Sequence, residues 1–175
     1  MEDAISEHSV RIPPPLALES VATILEGQMQ PTIDDWYQRL TVDNLVKGPA
    51  VSEQQRSSHL PDLFSELIHR LRNPVLLNTG EHRSRAAAAH GLLRLAQGYA
   101  AAVLIEESRC LQVSIFNTLN VNAHYIDFNK LLPDVMVIAD EVDAQLAVAI
   151  ASYAAGVSAA SVSPTVADET TSPVH

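Results

Sequence analysis

Residues 78–119, NTGEHRSRAAAAHGLLRLAQGYAAAVLIEESRCLQVSIFNTL, decide the fold of this chain. Asn78 is followed three residues later by Glu81, which is the pattern of a capping box and predicts that a helix begins there. From Ala86 onward the apolar residues recur at the three- and four-residue spacing of a helix face. The pattern continues past Gly98, so it predicts either one long helix or two helices broken near that glycine.

The remaining segments show the same helical spacing, and none shows convincing strand alternation. Prolines mark several boundaries: Pro31 either kinks the first helix or opens the next, whereas Pro61 and Pro133 suit the first turn of a helix. Gly156 suits the C-cap of the last helix. We therefore predict an all-α bundle of about five or six helices, with helical segments at 16–29, 32–40, 52–58, 61–72, 78–119 and 133–156.

The two ends of the chain differ in composition from its middle. Residues 1–15 finish in three prolines and predict a tail, and residues 157–175 are rich in Ser, Ala, Val, Thr and Pro, which predicts a flexible tail or linker. The predicted domain is therefore 16–156. Only 5% of the residues are aromatic, so its core must be built mainly from aliphatic side chains, with Trp36 as an anchor.

Charge and cysteine content exclude several classes of function. The net charge of −10 argues against a nucleic-acid partner and against an anionic membrane surface. Cys110 is the single cysteine, so an internal disulfide is excluded and a cysteine-based metal site is not expected. No apolar run has the length of a membrane span and the N-terminus lacks the features of a signal peptide, so we expect a cytoplasmic protein. A local group of arginines (Arg70, Arg72, Arg83, Arg85 and Arg94) is better explained by a solvated face and helix ends than by an anion site.

Five polar residues interrupt the decisive stretch and are the candidate functional or structural cluster: His90, Arg94, Gln97, Tyr99 and Glu107. Buried polar groups persist in a bundle only when they find partners. Arg94 and Glu107 can form a partly buried ion pair if the chain turns at Gly98, and they are about 20 Å apart if the helix runs straight. No phosphate loop, dinucleotide fingerprint, HExxH or Gly-x-Ser-x-Gly motif is present, so we expect no catalytic residue, no bound metal and no cofactor.

His90 has three interpretations. The first is a core or interface histidine that is satisfied by a neighbour such as Glu107, and this is the one we favour. The second is a phospho-acceptor in a histidine phosphotransfer-like bundle, since Ala89, Gly91 and Arg94 surround the imidazole with small residues and a basic group. The third is an axial ligand of haem in a globin-like sensor. The low aromatic content and the alanines before His90 argue against a haem pocket.

The order of residues HG–R–QGY–L–E–L, from His90 to Leu111, resembles the N-terminal domain of RsbR-type stress-response co-antagonist proteins (the RsbRD N-terminal domain family). The segments 33–40, IDDWYQRL, and 59–71, HLPDLFSELIHRL, are also similar, and the resemblance covers roughly residues 18–155. Pro31 departs from the family pattern because it interrupts the first helix, and no output domain follows residue 175, which suggests an isolated or excised module.

The resemblance implies a globin-like helical fold without haem, and a signalling module that also occurs at the N-terminus of bacterial sensor histidine kinases. It implies a homodimer placed ahead of an output domain or partner of the kinase, STAS or PAS type. We therefore expect a non-enzymatic regulatory domain that passes a shift in helix packing to its partner.

Overall fold

In the computed structural model, residues 18–42, 49, 51–77 and 84–162 are described. They form seven α-helices and a 3-10 turn at Ala123–Tyr125, and they contain no strand beyond one bridge between Glu19 and Ile126. The all-α prediction is therefore confirmed. The helices are α1 (Val21–Gly27), α2 (Met29–Val42), α3 (Glu53–Ser57), α4 (Leu60–Arg72), α5 (Arg85–Ala96), α6 (Ala102–Val121) and α7 (Phe128–Val162).

The decisive stretch forms two helices, α5 and α6, because the chain turns at Gly98. Gly98 has φ +77°, a left-handed conformation that costs glycine little and most other residues more. The predicted capping residues Asn78 and Glu81 lie outside the described residues. Helix α5 begins at Arg85, and the Ser84 side chain accepts a hydrogen bond from the backbone N–H of Ala87.

The N-terminal half also divides differently from the prediction. The helix predicted for 16–29 begins at Val21 behind the cap residue Ser20, and Leu18 is exposed rather than part of its buried face. Pro31 opens the next helix, since it lies in the first turn of α2, where its missing N–H has no helical partner to lose. The short helix after Ser52 and the helix after Pro61 are confirmed as α3 and α4.

The core is aliphatic except for a few rings. Its large buried side chains come from α1, α2, α4, α6 and α7, with Trp36 at its centre, fully buried. The Trp36 indole N–H donates to the backbone carbonyl of Glu107, 3.0 Å away, so the anchor residue also links α2 to α6. Trp36 therefore has the anchoring role that the sequence predicts.

Helix α7 is 35 residues long and packs closely against α5. The contacts advance in the same direction along both helices, from Gly91 at Ala149 to Leu95 at Gly156, so the two helices are parallel. A Cβ added to Gly91 would lie 2.1 Å from the carbonyl oxygen of Ala149, which shows that the two backbones touch without an intervening side chain.

Two predictions about α7 are wrong. Gly156 does not end the helix, which continues to Val162; its missing side chain makes room for Leu95 instead, whose Cδ2 would lie 2.5 Å from an added Cβ. Pro133 lies inside the helix rather than in its first turn, because α7 begins earlier, at Phe128. Within the described part of the chain, none of the helices combines the length and the apolar character that crossing a membrane requires.

Candidate functional site: a buried polar cluster

Arg94 and Glu107 form the centre of a buried polar cluster. The turn at Gly98 brings α6 back beside α5, so residues thirteen apart in sequence meet, with the Arg94 Nε 2.8 Å from the Glu107 Oε2. Arg94 is 0% exposed and Glu107 is 2% exposed. The conditional prediction of an ion pair across Gly98 is therefore confirmed, and the pair is fully rather than partly buried.

The remaining hydrogen bonds of Arg94 lead to neighbouring segments. Its Nη1 donates to the Gln97 side-chain oxygen at 2.6 Å, and its Nη2 donates to the backbone carbonyl of Arg56 at 2.7 Å. The guanidinium carbons of Arg94 and Arg56 each lie 5.5 Å from the ring centroid of Tyr99. The Tyr99 hydroxyl donates to the carbonyl of Pro49. The structure thus brings all five residues of the predicted cluster together and adds Arg56.

His90 is buried in the same cluster. Its Nε2 lies 3.4 Å from the Glu107 Oε2, and the residue is 6% exposed. Its ring is stacked on that of His59, with the centroids 3.8 Å apart and the planes 5° from parallel. The edge of His59 in turn faces Trp36, at a centroid distance of 6.1 Å.

Sequence reasoning missed two residues of the cluster, Arg56 and His59, and His59 is the one that contacts His90. It is the N-cap residue of α4, and its side chain makes no capping hydrogen bond. It belongs to no motif with His90, and only the packing of α4 against α5 brings the two rings together. The signal in the sequence was the position of His59 beside Leu60, at the start of the apolar pattern of a helix. That position does not by itself indicate a partner.

Burial controls the protonation of the cluster. Burial and the nearby Arg94 cation lower the pKa of His90 to about 3, and burial, with the neighbouring His90 and Arg94, lowers the pKa of His59 well below 6.5. Burial raises the pKa of Glu107, whereas Arg94 and Arg56 act in the opposite direction. Both imidazoles are therefore neutral near pH 7, and each keeps one ring nitrogen with a free lone pair.

Several polar atoms of the cluster have no hydrogen-bond partner. They are Nδ1 of His59, Nδ1 of His90, Oε1 of Glu107, and Nε and Nη2 of Arg56. A cavity of about 30 Å³ is lined by His59, His90 and Glu107 and, apart from Trp36, Ser108 and Gln145, by aliphatic side chains of the core. That volume holds one or two water-sized groups. Unpartnered buried polar atoms beside a small cavity are the arrangement that a small bound group would complete.

The burial and stacking of His90 can be compared with the three interpretations of this residue. A phospho-acceptor must be reached by a donor protein, and an imidazole that is 6% exposed and stacked on His59 offers no such access. A haem requires a pocket far larger than about 30 Å³, and the stacked His59 ring occupies the face of His90. The favoured interpretation, a buried histidine with Glu107 as its neighbour, agrees with the observed positions.

The predicted group of arginines does not form an anion site. Arg70 pairs with Asp140 at 2.9 Å, Arg72 pairs with Glu26 at 2.6 Å, and Arg94 pairs with Glu107. Arg83 lies outside the described residues. Arg85 is exposed at the start of α5. The three paired cations have different partners, so they stabilise separate helix contacts. No family model, no curated protein and no solved structure matches this chain.

Proposed function

We propose that this chain is a cytoplasmic, non-enzymatic regulatory domain of the RsbR-like type, which dimerises and transmits a change in helix packing to an output domain or partner. The observation that carries the proposal is an apolar surface of Ala, Leu and Val side chains shared by α5 and α7. The order of residues from His90 to Leu111 supports the choice of family, and a partner of the kinase, STAS or PAS type follows from that resemblance.

The shared surface, here called the α5/α7 face, follows from the helical spacing of its residues. On α5, Ala89, Leu92 and Ala96 are exposed and lie on one side of the helix. On α7, Val148 is half-buried and Ala155 is exposed. The contact between Leu92 and Gly156 places these two rows next to each other.

A surface of this kind suits a second pair of helices. A helix that is apolar on its solvent side as well as on its core side normally has a further partner, and small side chains allow close approach. Two copies of the α5/α7 face would form a four-helix contact around a two-fold axis, which is the commonest symmetry of protein oligomers. This supports a homodimer.

Helix α7 provides a route from the body of the domain to a partner. It contacts α5 at Gly156, and residues 157–161 continue as an exposed helix. Because α7 is one continuous element, a tilt or rotation imposed beside α5 is carried along its length. The regulatory proposal therefore needs no catalytic group.

Size-exclusion chromatography with light scattering tests the interface. We expect the wild-type chain to be a dimer at micromolar concentration and Leu92→Glu to be a monomer, because a buried unpaired carboxylate would be introduced twice by symmetry. Leu92 is 49% exposed, and Val113, which is 48% exposed on α6, provides a matched control. Val113→Glu should remain dimeric. A wild-type chain that is monomeric at high concentration, or equal behaviour of the two variants, would refute the proposed face.

A further inference from the structure

The cluster contains three metal-ligating side chains that converge from three helical elements. His59 at the start of α4, His90 on α5 and Glu107 on α6 each offer one donor atom, and these atoms lie within 4.8 Å of one another. Two imidazoles and one carboxylate are a donor set typical of Zn²⁺ sites that keep a further position for water. All three residues are buried, and Arg94 donates a hydrogen bond to only one of the two Glu107 oxygens.

The unpartnered atoms provide a second and independent indication. Nδ1 of His59, Nδ1 of His90 and Oε1 of Glu107 are buried without a hydrogen bond, although each is a strong hydrogen-bonding group. The adjoining cavity of about 30 Å³ is bordered by all three residues. The set thus lacks a shared partner, and the cavity has room for a metal-bound water.

The distances require a small rearrangement rather than a new fold. Bonds of about 2.0–2.1 Å in a tetrahedral site place donor atoms about 3.4 Å apart. The donor atoms that the three residues offer, one from each, already lie within 4.8 Å of one another, so they must approach by about 1.4 Å at most. A ligating imidazole holds the metal in its ring plane, so the two parallel rings must fan apart, and the cavity beside them gives the space.

A metal ion bound at Glu107 would have to displace one of the two arginine side chains beside it, Arg94 or Arg56. Arg94 is held by Glu107, Gln97 and the Arg56 carbonyl, and it is 0% exposed. The Arg56 side chain is held far less firmly: its Nε lies 3.6 Å from the Glu107 Oε1, two of its nitrogens lack a hydrogen bond, and it is 12% exposed. An incoming cation at Oε1 would therefore replace the Arg56 guanidinium, which can turn towards solvent.

We propose that His59, His90 and Glu107 bind a divalent transition-metal ion of the zinc type, with a water in the cavity as a further ligand and with Arg56 displaced from Glu107. The ion would be the input of the domain, and this last step rests on the proposed regulatory function. Metal binding itself does not depend on it.

The experiment uses the full chain without an affinity tag, stripped with a chelator and titrated with Co²⁺ and Zn²⁺. We expect one Co²⁺ per chain, with the visible absorption of a four-coordinate site, and displacement by Zn²⁺. Trp36 is the only tryptophan and its ring lies 6.1 Å from that of His59, so its fluorescence should be quenched by Co²⁺ at the same stoichiometry. Absence of a saturable one-to-one site would overturn the proposal.

Variants separate this site from adventitious binding by other histidines. His59→Gln and His90→Gln should each weaken Co²⁺ binding at least about a hundredfold, whereas His69→Gln and His124→Gln, at exposed positions, should leave it unchanged. The assignment would be refuted if Co²⁺ binding were weakened by the exposed-histidine variants and unchanged in the two buried-histidine variants. Circular dichroism checks that each variant is folded.

Arg56→Gln gives a result that a purely structural cluster does not predict. Removing the competing guanidinium should tighten Co²⁺ binding by about tenfold or more. Unchanged or weaker binding by a folded Arg56→Gln chain would refute the displacement of Arg56. Light scattering with and without Zn²⁺ reports on the dimer separately, so failure of the metal site and failure of the regulatory proposal give different results.

Discussion

The buried pair of Arg94 and Glu107 allows a quantitative test of how the α5–α6 turn is stabilised. The guanidinium is 0% exposed and makes three hydrogen bonds, to Glu107, Gln97 and the Arg56 carbonyl. Arg94→Met keeps much of the side-chain length but leaves the Glu107 carboxylate without its closest cation. Breaking a buried pair from one side costs about 3–5 kcal/mol, so we expect Arg94→Met to lower the free energy of unfolding by that amount.

The assay is a double-mutant cycle measured by urea denaturation. Glu107→Gln removes the charge from the other side and should also be costly, because Arg94 then stays charged and buried. The double variant should be less destabilised than the sum of the single variants by about 2 kcal/mol, since it no longer contains an unpaired buried charge. Additive effects, or a loss below about 1 kcal/mol for Arg94→Met, would refute this account.

An exposed pair provides the matched control. Arg72 and Glu26 approach more closely, at 2.6 Å, but their side chains are 47% and 55% exposed. Water and salt screen such a pair, so Arg72→Met should leave the urea midpoint nearly unchanged. If Arg72→Met were as destabilising as Arg94→Met, distance rather than burial would control the strength of these pairs.

The remaining predictions concern local backbone positions and can be measured by the same denaturation assay. Gly91→Ala should cost more than about 2 kcal/mol, because its Cβ would meet the backbone of α7 at 2.1 Å, whereas Gly27→Ala, with nothing within 4 Å, should be neutral or stabilising. Gly156→Ala should cost less than about 1.5 kcal/mol, since only the flexible end of a leucine side chain must move. Gly98→Ala should cost about 1–2 kcal/mol because of its φ of +77°. Ser84→Ala should cost about 1 kcal/mol through loss of the α5 cap; no measurable loss would show that the cap is dispensable.

Helical periodicity predicted the fold class and much of the buried surface. Ile33, Trp36 and Leu40 line the core as their spacing indicates, and Pro61 lies in the first turn of α4. At Gly98 the sequence allowed either a continuous helix or a break, and the structure has the break that lets Arg94 meet its partner. These successes share one property: the signal is local, and the tertiary structure does not oppose it.

The predictions failed where tertiary packing overrides a local signal. Glycine is the residue type typical of a helix C-cap, but in the structure Gly156 allows close contact with Leu95, and α7 continues beyond it. The stacking of His59 on His90 depends on how α4 meets α5, which no spacing in the sequence encodes. The cluster was therefore found only in part, with His59 and Arg56 missing from the predicted set.

The position of the cluster on α5 connects the proposed metal site with the proposed interface. His90 and Arg94 face the cluster, Gly91 lies directly on the backbone of α7, and Leu92 belongs to the α5/α7 face. Fanning of the His90 ring into the cavity changes the packing of α5, and no side chain at Gly91 separates α5 from the backbone of α7 to absorb that change. Metal binding should therefore alter the dimer affinity. Because such coupling is reciprocal, dimerisation must change metal affinity by the same factor, and Leu92→Glu should therefore bind Co²⁺ with the affinity of the isolated monomer.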